Sequence, residues 1–135
     1  MTKKTKPRII LTETDAERLM RLAGTMSSRM PEVADALIAE IERASVVEDS
    51  EIPADAVRMG SVVSFEQGGF VREVTLVFPG EADIGQGKVS VMTPIGAALL
   101  GMLPGNEISY AARDGREQVL KVVSVRQEEH APALA

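Results

Sequence analysis

The segment from Gly80 to Lys88 combines two carboxylates, three glycines and a lysine, which are residue types that bind phosphates and metal ions. Glycine-rich loops that end in lysine cradle phosphates, but Ala82 stands where that motif requires a glycine, and Lys88 opens a predicted strand rather than a helix. Glu81 and Asp83 have no histidine or third ligand nearby, so they indicate a solvated loop rather than a metal site. We expect neither nucleotide nor metal binding here.

The composition excludes several other kinds of site. The 135 residues contain no cysteine and one histidine, His130, which rules out disulfide scaffolds, thiolate zinc sites and cysteine nucleophiles and argues against a Ser–His triad. The net charge of −5 argues against binding of nucleic acid or an anionic membrane by the whole surface. We therefore predict no catalytic residue, no cofactor and no metal ligand. The first basic residues form an expected solubilising tail over residues 1–11: Lys3, Lys4, Lys6 and Arg8.

Apolar segments in the chain are short. Ile9–Leu11 is too short for the apolar core of a signal peptide, and Ile95–Leu103 is about half a membrane span. We expect a cytoplasmic protein without membrane contact. Apolar residues make up 44% of the chain but aromatic residues only 3%, so the predicted core is aliphatic.

The residues of the N-terminal third follow helical periodicity. Thr12 or Thr14 is the predicted cap of a first helix, which we expect to stop at Gly24. Pro31 is a suitable first residue for a second helix, whose apolar residues recur at spacings of three and four. Since the connection between them is short, we predict an antiparallel helical hairpin over residues 12–47.

An acidic linker, residues 48–56, separates this hairpin from a segment with strand periodicity over residues 57–127, followed by a tail, residues 128–135. Gly68-Gly69 and Asp114-Gly115 predict hairpin turns. Thr93 and Pro94 are typical of the cap and first position of a short helix, Ile95–Leu100, closed by Gly101. The five predicted strands are Val62–Phe65, Val71–Phe78, Lys88–Met92, Ile108–Ala111 and Gln118–Val125. We expect an α+β protein.

The sequence from Glu81 to Ile108, EADIGQGKVSVMTPIGAALLGMLPGNEI, resembles the C-terminal domain of the bacterial Gre transcript-cleavage factors. Its order of acidic loop, strand, Thr-Pro pair, small-residue helix and turn agrees with that family, and the resemblance extends over residues 57–126. It implies an FKBP-like fold with a curved antiparallel sheet and one short helix. It also implies that Met92, Thr93 and Pro94 face RNA polymerase, although Met92 stands where the family often has an acidic residue.

The N-terminal half distinguishes the subgroup. Gre factors carry a helical hairpin of about 75 residues, whereas the hairpin here has at most about 35. Each arm of about 12–15 residues therefore reaches only about 20 Å. The Gre tip holds a magnesium ion with two acids. The tip here contains no carboxylate; its residues are Thr25, Met26, Ser27, Ser28 and Arg29. Metal-assisted RNA cleavage is therefore expected to be absent.

The segments LTETDAERL and PEVADALIAEIERASVV are similar to the regulator of nucleoside diphosphate kinase (Rnk) group, which are Gre-like polymerase binders without cleavage activity. This resemblance implies a non-catalytic regulator that binds bacterial RNA polymerase at the rim of the secondary channel. It would compete there with Gre-type factors and make no direct sequence-specific contact with nucleic acid. The alternatives are direct binding to a metabolic enzyme such as nucleoside diphosphate kinase, and peptidyl-prolyl isomerase activity, against which the absence of tryptophan argues.

Overall fold

The computed structural model describes residues 7–112 and 114–127. The elements in chain order are β1 (Ile10–Thr12), α1 (Glu13–Met26), α2 (Pro31–Arg43), β2 (Ser45–Val47), β3 (Ser61–Gln67), β4 (Phe70–Val77), β5 (Lys88–Ser90), α3 (Pro94–Leu99), β6 (Glu107–Ala111) and β7 (Glu117–Gln127). A helical hairpin thus precedes a sheet with one short helix, which confirms the α+β prediction. The basic residues 3, 4 and 6, and His130 with the tail 128–135, lie outside the described residues.

β3 to β7 form one five-stranded sheet in the order β5-β4-β3-β7-β6. Neighbouring strands are antiparallel except β4 and β5, which pair in parallel from Thr75 opposite Lys88 to Val77 opposite Ser90. The sheet is therefore mixed, whereas we expected an antiparallel one. The loop of residues 78–87 carries the chain back past the end of β4. β5 therefore begins beside Thr75 and runs in the same direction as β4.

Two predicted hairpin turns are confirmed. Gly68 and Gly69 connect β3 to β4 with φ values of +59° and +86°, a conformation that glycine adopts without steric cost. Gly115, with φ of +83°, lies in the connection from β6 to β7, where the Asp114 carboxylate accepts a hydrogen bond of 3.0 Å from the Arg116 amide.

The first helix of the hairpin, α1, begins where the sequence predicts and ends later than predicted. The Thr12 side chain accepts a 3.0 Å hydrogen bond from the Asp15 amide, so Thr12 caps α1. The prediction that α1 stops at Gly24 is wrong, because Gly24 keeps helical backbone and the helix continues to Met26. Pro31 occupies the first turn of α2, as expected.

The two ends of the hairpin are joined by a parallel pair of strands that the sequence does not predict. In this pair β1 lies beside β2, with Ile10 opposite Ser45 and Thr12 opposite Val47. Each strand has three residues, too few for a recognisable alternation, and β1 falls at the end of the expected basic tail. The pairing fixes the entry and exit of the hairpin side by side.

The hairpin and the sheet share one hydrophobic core. Leu19 and Leu37 of the two helices are fully buried in the same cluster as Phe65, Leu76 and Val122 of the sheet. A hydrogen bond and a cation–π contact also join the hairpin to the sheet segment. The hairpin is therefore packed against the sheet along its length rather than standing away from it as a free arm.

Contacts from α1 to the segment around β3 and β4 show this packing directly. The buried Asp15 carboxylate accepts a 3.1 Å hydrogen bond from the Met59 amide. The Arg18 guanidinium lies 4.7 Å from the centre of the Phe78 ring, within the range of a cation–π contact.

Two glycines permit close approaches that a side chain would block. At Gly96 in α3, an added Cβ would lie 2.1 Å from the carbonyl oxygen of Ser90 at the end of β5. At Gly101, with φ of +74°, an added Cβ would lie 2.9 Å from Cβ of Ile9. The Gly101 amide donates to the Val57 carbonyl and its carbonyl accepts from the Ile10 amide, both at 3.0 Å. Gly101 thus ties β1 to the start of the sheet segment.

Substitution of Gly96 tests the packing of α3. Gly96→Ala is expected to destabilise the protein by about 2 kcal/mol, because the Ser90 carbonyl is backbone and must move. Gly24→Ala is the matched control, since nothing lies within 4 Å of an added Cβ in this helical position, and we expect a gain of about 0.5–1 kcal/mol. Urea unfolding of both variants measures the difference. Equal stability of Gly96→Ala and wild type would contradict the packing.

The segment after the hairpin is held by Asp49. Its carboxylate accepts hydrogen bonds from the Thr14 hydroxyl at 2.5 Å and from the Thr14 amide at 3.2 Å. The bond from the hydroxyl, then that from the amide, and then the positive charge of Arg58 lower the pKa of Asp49, although desolvation opposes them. The expected linker of residues 48–56 is thereby attached to the start of α1.

This lowered pKa predicts an acid-dependent contribution to stability. The folded-state pKa lies below the unfolded value of about 3.9, so the contribution is present above about pH 4 and is lost as the pH falls through the folded-state pKa. Asp49→Asn is expected to lower the Tm at pH 7 and to flatten its decline between pH 5 and 3. Asp55→Asn, an exposed control in the same segment, should keep the wild-type profile. Parallel profiles for all three proteins would contradict the role of Asp49.

Candidate functional site

The turn before α3 is fixed by side-chain hydrogen bonds. The Thr93 hydroxyl accepts a 3.1 Å bond from the Gly96 amide and donates a 2.6 Å bond to the Ser90 carbonyl. The Ser90 hydroxyl accepts a 2.9 Å bond from the Met92 amide. These bonds turn the chain after Ser90, which is why β5 ends two residues before the predicted end at Met92. The predicted cap at Thr93, with Pro94 in the first turn, is confirmed.

The three residues for which polymerase contact is predicted differ in exposure. Met92 is 3% exposed and belongs to the core. Thr93 and Pro94 are half-buried and reach the surface. A partner that meets this turn therefore contacts Thr93 and Pro94 directly, while Met92 supports them from below.

The predicted tip residues fall into two groups. Thr25 and Met26 belong to the last turn of α1, and Ser27, Ser28 and Arg29 form the turn that leads to α2. The Thr25 hydroxyl donates to the Arg21 carbonyl and the Ser27 hydroxyl to the Gly24 carbonyl, each at 3.0 Å. All of these residues are exposed except Met26, which is half-buried and packs on the core.

The structure brings the tip and the α3 turn together. A cavity of about 820 Å³, hereafter the main groove, lies between Met26 of the tip, Met30 just before α2, and Thr93 and Pro94 at the turn. Its remaining lining residues come from the sheet, the 78–87 loop and α3: Phe65, Gln67, Arg72, Val74, Pro79, Ala82, Ile84, Lys88, Val89, Ser90, Met92, Ile95, Tyr110, Ala112 and Gln118. Two sites that the sequence presents as separate thus border one groove.

A second cavity, of about 600 Å³, continues from the main groove between α2 and β6. Met30, Thr93 and Pro94 line both cavities, so the exposed part of the turn lies at their junction. Sequence patterns do not connect the strand residues that line the main groove, such as Phe65, Arg72 and Tyr110, because these residues are distant in sequence.

Comparison with known proteins decides the family. Residues 52–127 match the family model "Transcription elongation factor, GreA/GreB, C-term", and residues 7–47 match the model "Rnk N-terminus". The regulator of nucleoside diphosphate kinase of Escherichia coli strain K12 is 37% identical over 128 residues, which cover 93% of this chain and 94% of that protein. The chain is a member of the GreA/GreB family, in its Rnk group.

Other members of the family agree with this assignment. The transcription elongation factor GreA of Clostridium botulinum strain Hall is 35% identical over 86 residues, 61% of this chain and 54% of that protein. The structure of a GreA/GreB transcription elongation factor from Nitrosomonas europaea aligns with a TM-score of 0.71 and 36% identity, covering 88% of this chain and 99% of that one. This alignment confirms the α+β fold, a helical hairpin followed by a sheet with one short helix.

In this Rnk-group chain the described residues hold no group of three or more histidine, cysteine, aspartate or glutamate side chains arranged to bind a metal. Glu81 and Asp83 are exposed in the 78–87 loop, and Lys88 opens β5, as the sequence predicts. Among the described helices, none is long and apolar enough to span a membrane.

The hydrogen bonds of Thr93 predict its contribution to stability. Thr93→Ala is expected to cost about 1 kcal/mol, because it removes the cap of α3 and the bond to the Ser90 carbonyl. Thr93→Ser keeps the hydroxyl and should lose much less. Urea unfolding compares the two variants, and equal losses would show that the hydroxyl does not hold the turn.

Proposed function

We propose that this Rnk-group protein regulates transcription by binding bacterial RNA polymerase at the rim of its secondary channel, where it competes with Gre-type factors. The observation that carries the proposal is the continuous GreA/GreB match over residues 52–127, which includes the whole sheet and the α3 turn. Relatives that match this region are named transcription elongation factors.

The surface that we propose for polymerase contact is centred on Thr93 and Pro94. The capping bonds hold this turn in one conformation, and Met92 packs beneath it, so a partner would meet a preformed surface. Binding to a preformed surface avoids the entropic cost of ordering a loop. Met26 and Met30, which flank the exposed tip residues Ser27, Ser28 and Arg29, line the same groove as Thr93 and Pro94.

The same geometry supports a non-catalytic role. The tip carries no carboxylate that would hold a metal ion for RNA cleavage. α1 has 14 residues and so spans about 21 Å, and its apolar face is buried against the sheet. We therefore propose that the protein occupies the rim without carrying acidic residues to the polymerase active centre.

A second candidate function is regulation of nucleoside diphosphate kinase by direct binding. It is favoured by the name of the relative that is 37% identical over 93% of this chain. The two candidates differ in their partner. Co-purification with the kinase from cells, repeated with purified kinase and no polymerase, would support the second candidate and would be unexpected under the first.

The polymerase proposal predicts binding that depends on the α3 turn. Fluorescently labelled protein is expected to bind purified bacterial core RNA polymerase and to be displaced by unlabelled GreA. Pro94→Glu should weaken binding at least about tenfold, or about 1.4 kcal/mol, because it places a charge where an apolar ring is presented. Glutamate is tolerated in the first turn of a helix, so this variant keeps α3.

Lys121→Glu is the matched control, since Lys121 is exposed on β7 and lines neither cavity. It should bind as wild type does. Absence of wild-type binding at micromolar concentrations would contradict the polymerase proposal. Equal binding by wild type and Pro94→Glu would leave polymerase as the partner but contradict the docking surface.

A further inference from the structure

The two edges of the five-stranded sheet differ in how their backbone groups are used. β5, at one edge, has only three residues. The Lys88 amide donates to the Asp83 carbonyl and the Asp83 amide donates to the Lys88 carbonyl, each at 2.9 Å. The Ser90 carbonyl accepts a 2.6 Å bond from the Thr93 hydroxyl. The chain itself therefore covers this edge.

β6 forms the other edge of the sheet and pairs only with β7. The Asn106 carbonyl accepts a 2.9 Å bond from the Val122 amide of β7. Because bonding alternates along an antiparallel pair, the amides and carbonyls of Glu107, Ser109 and Ala111 point away from β7. Within residues 7–112 and 114–127, no backbone or side-chain group bonds to them. This edge is therefore open.

The sequence of β6 does not protect its open edge. Edge strands of natural proteins avoid unwanted pairing by being very short or by carrying lysine, proline or a bulge. The five residues of β6, EISYA, include no lysine or proline, and their register with β7 is unbroken. An edge of this kind accepts an added strand, which gains main-chain hydrogen bonds.

The cavity between α2 and β6 leaves space beside this edge. Its volume is about 600 Å³, and Ser109 and Ala111 of the edge line it. On the helix side it is lined by Ala36 and Ala39, which are exposed and small. The side chains of a strand added to β6 would therefore find room between the edge and α2.

We propose that this edge binds a second copy of the chain, so that the β6 strands of the two copies pair antiparallel and join their sheets. The three open residues define the register. All of them bond only when Ser109 lies opposite Ser109 of the second copy and Glu107 lies opposite Ala111 of the second copy. This arrangement has the two-fold symmetry that is usual in homodimers. The dimer goes beyond the polymerase proposal and does not depend on it.

The side chains of β6 are self-complementary in this register. On the sheet face that carries the core, Ile108 lies opposite Tyr110 of the second copy, and the pair occurs twice. Pairs of an aromatic with a β-branched residue stabilise neighbouring strands. On the other face the charged Glu107 meets the small Ala111, so no like charges oppose each other. A register centred on Glu107 would place two glutamates opposite each other, which is destabilising.

Sedimentation velocity of the full chain at increasing concentration tests the dimer. Since pairing of one short strand buries little surface, we expect a weak dimer with a Kd on the order of 100 μM. Ser109→Pro removes the outward amide and leaves the bonds between β6 and β7, so it is expected to be monomeric. Ser109→Ala keeps the amide and is the matched control, which should dimerise as the wild type does.

Two lysine variants test the register, because they change the net charge equally. Ala111→Lys places each new lysine opposite Glu107 of the second copy, so the Kd is expected to fall about fivefold. Ser109→Lys places two lysines opposite each other, so the Kd is expected to rise at least about fivefold. Both variants keep the backbone amides of β6 and therefore decide the question even if Ser109→Pro lowers the thermal stability.

A wild type that stays monomeric at several times 100 μM would overturn the proposal and leave an extended segment of a different protein as the occupant of the edge. A dimer that Ser109→Pro retains, with wild-type thermal unfolding, would also overturn it, and so would equal Kd values for the two lysine variants. Since no polymerase is present, each of these results leaves the polymerase proposal to its own test.

Discussion

The fold depends on the close approach of three chain segments at Gly101. The backbone of this residue bonds to Val57 through its amide and to Ile10 through its carbonyl, and Ile9 packs where its side chain would be. Because its φ is positive and the space beside it is filled, the position suits only glycine. This junction connects the end of α3 to the first strand of the hairpin and to the start of the sheet segment.

The junction determines what the hairpin can do. Since β1 is attached at Gly101 and β2 lies beside β1, both ends of the hairpin are fixed on the sheet domain. The apolar faces of α1 and α2 then complete the core, with Leu19 and Leu37 fully buried. The tip consequently lies beside Thr93 and Pro94, and the shape of the main groove follows from this arrangement. A short hairpin packed in this way is part of the core rather than a free-standing arm.

The features that the sequence predicts are those determined by neighbours a few residues away. The Thr93 cap and the turns at Gly68-Gly69 and Gly115 require particular residue types at fixed spacing, and each is found where expected. The family, too, follows from ordered motifs in one continuous stretch. The domain boundaries and the polymerase-facing residues stay predictions.

The features that the sequence does not predict depend on distant contacts. Gly24 has the residue type of a helix end but continues the helix, because it lacks the positive φ that a glycine stop requires. The parallel pairing of β5 depends on the path of the 78–87 loop, and the pairing of β1 with β2 joins segments more than thirty residues apart.

Because the hairpin completes the core of the sheet, we expect the two parts to unfold as one unit. Native-state hydrogen exchange at increasing urea concentrations tests it directly, because it measures the opening free energy of each amide. We expect amides in the middle of α1 and α2 to converge on the same global unfolding free energy as amides of β3 and β7. Exchange of the hairpin amides through a separate opening, of lower free energy and independent of the sheet, would contradict it.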